Sequence, residues 1–506
     1  MKKQNYIIRL ATLLFLLGIY SCSNDFLDDI KPETSQDITS LRQSVADLDV
    51  IINGAYGAIF SPAGIGSFQT AMEINSDLYY AVPGERSGWI TGREGDAYRH
   101  AYAGKDYNLQ AQLMQWVNYS INLSNVAIES IEEGMVDDDP RKESQGDRIM
   151  GEAKFLRAFS NWMMTVMLGP QYHSSTLASN SAIYRDKPII SPTDVAAKVR
   201  TVSEMYNFII ADLVDAQAKL PEIYDNTLLE HPSTYLARVR KDAATALLAK
   251  VYFQMNDFDK ALEQVNLLLG PVSASGSAKY PLAANYDNLF KILGGQNYSP
   301  NMGKELIYAA EGSSAQKWTL DSKWTYYRFT RPKTNAGGTA VPNAYGRLKL
   351  GNPYINLFDK VNDKRFLQWV EVVGGTNYWQ KKLSTSNMNM PIFRSAEFHL
   401  MRAEILARKD NLTDAALELD LVRIRSGLTA FTVTTKEALI NEIINERARE
   451  MVGESVRHLD NLRLGAIDGT LVPLGQKDAD DKTDVGGVDQ LPWDSPKLIY
   501  DMPTNE

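Results

Sequence analysis

Two segments far apart in the chain carry the same helix–turn–helix signature, and it limits the core this chain can build. In the first, Ala249 and Tyr252 precede an Asn256-Asp257 turn, and Ala261, Val265 and Leu268 follow it. In the second, Ala403 and Leu406 precede Asn411, and Ala415, Leu419 and Val422 follow. The paired alanines stand 12 positions apart in both copies. Small residues at these points let two antiparallel helices approach closely, as in tetratricopeptide hairpins. Other stretches share the three-to-four spacing of a helix face. Phe155, Phe159, Trp162 and Val166 mark a helix over 152–168 that Gly169-Pro170 ends. Segments 202–220 and 241–255 read the same way, and Thr434 with Glu437 has capping-box spacing ahead of Leu439, Ile440, Ile443 and Ile444. The expected fold is mainly α, with tetratricopeptide-like helical hairpins interrupted by long aromatic-rich loop insertions.

The interruptions are 61–103, 271–303, 312–351 and 468–494, rich in Gly, Pro, Ser, Asn, Asp and aromatics. Loops this long inside a folded domain are usually functional or disordered. The aromatic content of the first three argues for order. The fourth holds aspartates at 478, 480, 481, 484 and 489, but Lys482 stands where an EF-hand ligand would be, so it reads as a solvated acidic loop.

The N-terminus carries a different signal. Lys2 and Lys3 precede an apolar run from Ile7 to Tyr20 with Arg9 as its one charge, and Ser21-Cys22 follows. This is the pattern of a secretory leader, too short for a stable membrane-spanning helix. Cys22 is the chain's only cysteine, so no internal disulfide is open to it. Its position marks a bacterial lipoprotein's acylation site, with cleavage after Ser21; the plainer alternative is an ordinary leader with an incidental thiol. Removing the leader's three basic residues takes the net charge from −9 to −12. That balance argues against nucleic acid and against electrostatic adhesion to an anionic bilayer, leaving the lipid as the attachment to the membrane. The acidic run Asp25-Phe26-Leu27-Asp28-Asp29 reads either as a solvated tether or as a surface-export signal.

Catalytic signatures are scarce in the sequence. The histidines at 100, 173, 231, 399 and 458 are dispersed, and there is no HExxH, GxSxG, P-loop or GxGxxG. His399 reads as a packed residue. Glu446, Arg447, Glu450, Glu454, Arg457, Asp460 and Arg463 place opposite charges at helical spacing, and on one helix they would form an ion-pair lattice. The rival reading, a glycosidase carboxylate pair, needs a cleft and a perturbed carboxyl. No catalytic residue, metal or cofactor is expected.

The aromatic loops are the better functional candidates. Sugar rings present apolar CH faces that stack on Trp and Tyr, while their hydroxyls need a few fixed polar partners. The first loop offers Asp77, Tyr79, Tyr80, Arg86 and Trp89; the second Tyr298 and Asn301; the third Trp318, Trp324, Tyr326 and Arg328. Trp89 follows Pro83-Gly84-Glu85-Arg86-Ser87-Gly88, a turn-forming stretch in which a buried indole would be out of place, and is the first choice for a stacking platform. Trp324 is the second. The competing reading is that these aromatics pack the loops onto the helices. Trp116 and Trp162, at helical positions, are assigned to the core.

Several stretches occur in a telling order: Cys22-Ser-Asn-Asp-Phe-Leu-Asp, Glu152-Ala-Lys-Phe-Leu-Arg-Ala, Ala246-Leu-Leu-Ala-Lys-Val-Tyr, Phe393-Arg-Ser-Ala-Glu-Phe-His-Leu-Met-Arg-Ala-Glu, Ile444-Asn-Glu-Arg-Ala-Arg-Glu, Gly453-Glu-Ser-Val-Arg-His-Leu-Asp-Asn-Leu-Arg and the terminal Met502-Pro503-Thr-Asn-Glu. Together they resemble the SusD/RagB family of surface glycan-binding lipoproteins. Phe159-Ser160-Asn161-Trp162 departs from the Tyr pairs more common there. The resemblance implies a SusD-like α-α superhelix on the outside of the outer membrane. It implies non-covalent binding of an oligosaccharide or polysaccharide, delivery to a SusC-like TonB-dependent transporter, and no enzymatic activity. The expected organisation is a leader over 1–21, a lipidated acidic tether over 22–45 and a single body over 46–506. Its N-terminal region would cover about 46–235 and its C-terminal region about 270–506. A polysaccharide-degrading enzyme on a helical scaffold, or a transporter lid without its own ligand site, are the alternatives.

Overall fold

The computed structural model describes residues 42–61, 63–81, 93–102, 109–190, 194, 198–224, 237–286, 289, 304–310, 348–382, 390–477 and 482–502. Cys22 and the tether up to residue 41 lie outside them, while Arg42 is already packed against the body and pairs with Glu129. Fourteen α-helices and five two-stranded antiparallel ribbons make up the described body. Among the described residues no helix is long and apolar enough to cross a membrane.

The N-terminal half is a helical stack. Helices α1 (Val45–Ile59), α2 (Ile65–Ile74), α3 (Arg93–Arg99), α4 (Leu109–Glu132), α5 (Lys142–Leu168) and α6 (Val202–Lys219) follow one another, and α5 packs between α4 and α6. A Thr201–Glu204 capping box starts α6. At the end of α5, a Cβ on Gly169 would meet Ser181 Oγ at 2.3 Å and Thr165 O at 2.9 Å, so only glycine lets the chain turn there. The turn leads into strand β2 (Asn180–Tyr184), which pairs with β3 (Lys198–Thr201). Glu152 and Arg157, from the first internal motif, are both buried ion-pair partners. Glu152 receives Arg148 at 2.6 Å and Arg238 at 2.8 Å, and Arg157 holds Asp212 of α6 through two 2.7 Å bonds.

The expected hairpins are present as α7 (Lys241–Gln254) with α8 (Phe258–Leu269), and α11 (Ser395–Arg408) with α12 (Leu412–Arg425), with two short helices between them, α9 (Asn352–Ile355) and α10 (Lys364–Trp369). Ala249, Ala261, Ala403 and Ala415 are all fully buried at the helix crossings. The two turns match residue for residue. Asn256 and Asp410 take left-handed conformations (φ 61° and 65°), which short polar side chains tolerate. Asp257 and Asn411 then cap α8 and α12 by accepting from Lys260 N and Asp414 N.

Five expectations need correction. The 61–103 stretch is not a plain loop: it holds α2, strand β1 (Tyr79–Ala81) and α3. Every residue of α2 is buried, and a helix buried on all sides has no amphipathic periodicity to read. The helix cap near 434 is Thr435, which accepts from Ala438 N, one residue later than the capping-box spacing indicated. The charged run 446–463 spans two helices, α13 (Lys436–Met451) and α14 (Arg457–Asp468), because Gly453 (φ 81°) and Ser455 (φ 66°) break the chain between them. Trp116 is only half-buried, whereas Trp162 is 4% exposed as assigned.

The 468–494 stretch is also more ordered than a solvated loop. Strands β9 (Val472–Pro473) and β10 (Gln490–Leu491) pair, and Val472, Leu474, Val485 and Leu491 form a small apolar cluster with Leu462 and Leu498. Of its described acids, Asp489 pairs with Lys482 and Asp468 with Arg408. His399 is fully buried and bonds Glu418 of α12 at 2.7 Å, a packing role as expected.

Candidate functional site

The short ribbons set the geometry of the candidate loops. Strand β1 pairs with β5 (Leu348–Leu350), and Ala81 faces Leu348 in register. The position where segment 82–92 departs is therefore the position where segment 311–347 returns. Strand β4 (Leu306–Ala310) pairs with β8 (Met390–Arg394), with Ala310 facing Met390. The start of 311–347 and the end of 383–389 thus share a second base. Arg86, Trp89, Trp318, Trp324, Tyr326 and Arg328 belong to these segments, and they lie, with Tyr298 and Asn301, outside the described residues.

The described members of the first loop group are fixed in the body. Asp77 is gripped by Arg457 through two 2.7 Å bonds and by Asn461 Nδ2 at 2.9 Å. Burial works to raise its carboxyl, but the Arg457 guanidinium outweighs this and holds it below the ordinary range. Both oxygens are thus engaged by α14. Tyr79 is fully buried, its hydroxyl donating to Gln380 Oε1 at 2.5 Å. Gln380 ends strand β7 (Asn377–Gln380), the partner of β6 (Val370–Val373). Alternation along β1 turns Tyr80 the other way, where it keeps partial solvent contact.

Beneath the β4–β8 base lies the charged cluster. Glu450 of α13 receives Arg394 and Arg425 on Oε1, both at 2.6 Å, and Arg365 and the Tyr286 hydroxyl on Oε2, both at 3.1 Å. Arg394, the last residue of β8, also reaches Glu305 at 2.9 Å, just before β4, and Glu454 through 2.7 Å bonds. Lys382 bonds the Glu450 and Val452 carbonyls at 2.7 and 3.0 Å and pairs with Glu454. Burial depresses its ammonium to about 8 despite that pairing. Burial alone would raise the Glu450 carboxyl, yet Arg425, Arg394 and Arg365 hold it far below the carboxylate range.

This cluster cannot act as a glycosidase pair. A general acid must keep its proton near neutral pH and reach the substrate. Glu450 and Glu446 are both fully buried, depressed and saturated with guanidinium donors. Most of the ion pairs also cross between elements, contrary to a single-helix lattice. Arg447 bonds Asp460 at 2.8 Å across the α13–α14 turn, and Arg463 clasps Glu404 of α11 at 2.9 and 2.8 Å. The cluster's chemistry is structural: it ties α10, α12, α13 and the strand bases together. Among the described residues no group of His, Cys, Asp and Glu could hold a metal ion.

One acid escaped sequence reasoning. Glu73 on α2 is 1% exposed and accepts from Ser455 N at 2.7 Å, bracing the α13–α14 turn. Burial, countered in part by the Ser455 and Gly453 amides and by Lys382, pushes its carboxyl up to about 7. Nothing in the sequence singles it out, since its burial depends on α2 being enclosed on every side.

A family model described as "SusD family" matches residues 254–490, and one described as "Starch-binding associating with outer membrane" matches 25–253. A curated "SusD-like protein P2" from Formosa agariphila is 25% identical over 292 residues, covering 57% of this chain and 50% of that protein. The chain therefore spans about half the length of this curated relative. A SusD superfamily protein from Bacteroides thetaiotaomicron superposes with a TM-score of 0.72 at 18% identity, covering 91% of this chain and 96% of the other. One from Bacteroides vulgatus gives 0.71 at 20%, covering 92% and 96%. Surface glycan-binding protein A from Bacteroides uniformis gives 0.67 at 19%, covering 90% and 95%. At these identities the superpositions speak for the shared fold.

Proposed function

The chain belongs to the SusD family, and from that premise we propose that it is a lipid-anchored, outer-membrane glycan-binding protein that faces the cell exterior. It captures oligosaccharides non-covalently and passes them to a SusC-like TonB-dependent transporter. Cys22 carries the lipid, and no cofactor takes part. The observation that carries this reading is the Ala81–Leu348 register, which gives the Trp89 segment and the Trp324 segment one common base. The Trp89 segment thus leaves the body where the Trp324 segment rejoins it, although the two stretches are separated by more than 200 positions in sequence, and this supports one stacking site for a sugar chain. A glycan ligand agrees with the starch-binding family matched over 25–253 and with the fold shared with a surface glycan-binding protein of Bacteroides uniformis. The saturated, depressed carboxylates of the buried cluster agree with binding without hydrolysis.

The test is isothermal titration of the mature protein with a panel of oligosaccharides, beside a reducing-end assay on the parent polysaccharides. Trp89→Ala and Trp324→Ala are each expected to weaken binding by roughly tenfold or more, as loss of a contact aromatic does at interface hot spots, while the melting temperature barely moves. Trp162→Ala, in the core, should do the reverse and cost about 3–5 kcal/mol of stability. Unchanged affinity in both loop variants would place the ligand elsewhere, and release of reducing ends would replace binding by catalysis.

A further inference from the structure

A small cavity lies where the two hairpin copies meet α5 and the α13–α14 pair. Its walls include Trp162 of α5, Lys250 of α7, Glu397 of α11, Arg447 of α13 and Asp460 of α14. The space open to the centre of a water molecule is about 20 Å³. A water molecule itself fills about 10–15 Å³ as a sphere, so the space holds at least one, whereas small-molecule pockets run to roughly 300 Å³ or more. A sugar ring does not fit and a water does.

Charge and hydrogen bonding narrow the occupant further. Lys250 Nζ pairs with Glu397 Oε1 at 2.5 Å, and Arg447 pairs with Asp460 at 2.8 and 3.1 Å. Two cations face two carboxylates, so an ion entering the cavity would carry an unmatched charge into a buried space. A neutral dipole meets no such penalty. Trp162 is 4% exposed, and its indole Nε1 has no hydrogen-bond partner in the protein. A buried indole N–H normally finds an acceptor. A carboxylate offers about four acceptor positions, so Glu397 can receive a further donor beside Lys250.

We propose that this cavity is a binding site for one ordered water, which accepts from Trp162 Nε1 and donates to the Glu397 or Asp460 carboxylate. The water joins α5 to the first hairpin through Lys250 and to the second through Glu397. It makes the contact between the two copies a hydrated joint instead of a dry apolar seam. Its requirement for a donor on α5 accounts for an indole at position 162.

The experiment is a crystal structure of the mature chain, and of Trp162→Phe, at a resolution that orders internal water. The expected result is a density peak within about 2.7–3.2 Å of Trp162 Nε1 and within hydrogen-bond reach of one of the two carboxylates. In Trp162→Phe the peak should be lost or shifted away from the ring. A dry cavity, or a peak with the coordination or anomalous signal of an ion, would overturn the proposal. A water that keeps its position unchanged in Trp162→Phe would also overturn it, because the indole would not be its donor. If Trp162→Phe fails to fold, the structure of the unaltered chain decides alone.

Discussion

Glu73→Gln should stabilise the protein at pH 8 and leave it unchanged at pH 4. In the native state the Glu73 carboxyl titrates near 7, whereas its ordinary value is 4.5. Between these two values the native chain keeps a proton that the unfolded chain has released. The contribution is complete below pH 4.5 and is lost as pH rises through 7. The shift of about 2.5 pH units, at about 1.4 kcal/mol per unit, amounts to about 3 kcal/mol. Glutamine keeps the oxygen that accepts from Ser455 N and never ionises, so it escapes the loss. Unfolding entropy of about 2.1 cal/mol/K per residue gives about 1 °C per kcal/mol for a chain of this length, so the gain at pH 8 is about 3 °C. Other titrating groups cancel in the difference between the two proteins. Thermal melts of both at pH 4 and pH 8, at equal ionic strength, measure it. An equal change at both pH values, of either sign, would refute the reasoning, since it would show that Glu73 carries no proton-linked strain.

Two further outcomes are expected. Burial, with a lesser push from Lys477, lowers His458 to about 4, so the native chain stays neutral where the unfolded chain protonates. Stability from this group is present above pH 6.5 and lost as pH falls through 4, by about 3 kcal/mol, and His458→Gln should flatten that acid limb in a pH series of melts. Glu450→Gln leaves Arg394, Arg425 and Arg365 short of a counter-charge and should cost about 3–5 kcal/mol in denaturant titration, with glycan affinity of the folded fraction unchanged. Loss of binding without loss of stability would move the cluster into the ligand site.

The hairpins were legible because their information is local. A small residue on each helix and an Asn/Asp turn between them specify crossing and cap at short range, and all of these appear at matching positions in both copies. Helix α2 was not legible because burial on every side removes the contrast that periodicity measures. The break between α13 and α14 hid for a different reason. Charges at three- and four-residue spacing look like a continuous lattice, yet the partners of Glu450, Arg457 and Arg463 sit on β8, at Asp77 and on α11. Spacing along one chain cannot separate a solvated ion-pair face from charges directed inward at distant elements. The glycine and serine at 453 and 455 were the available warning, because a left-handed turn at Gly453 ends the helix.

That distinction also explains why the resemblance was stronger than any single motif. Arg394, Glu397, Arg402 and Glu404 of the Phe393 motif, Glu446, Arg447 and Glu450 of the Ile444 motif, and Asp460 and Arg463 of the Gly453 motif are all buried and ion-paired. A buried charge left without its partner costs several kcal/mol, so these positions constrain one another across the fold. They report how the scaffold is locked and say nothing about ligand. Asp77 follows the same logic: grouped by sequence with Trp89, it is held by Arg457 and Asn461 and belongs to the lock. On the function proposed above, the scaffold's contribution to recognition is positional. Arg394 at the end of β8 and Glu305 ahead of β4 clamp one strand base, and the Ala81–Leu348 register fixes the other. On the same proposal, substitutions in the segments between these bases would alter specificity without disturbing the charges that hold the fold together.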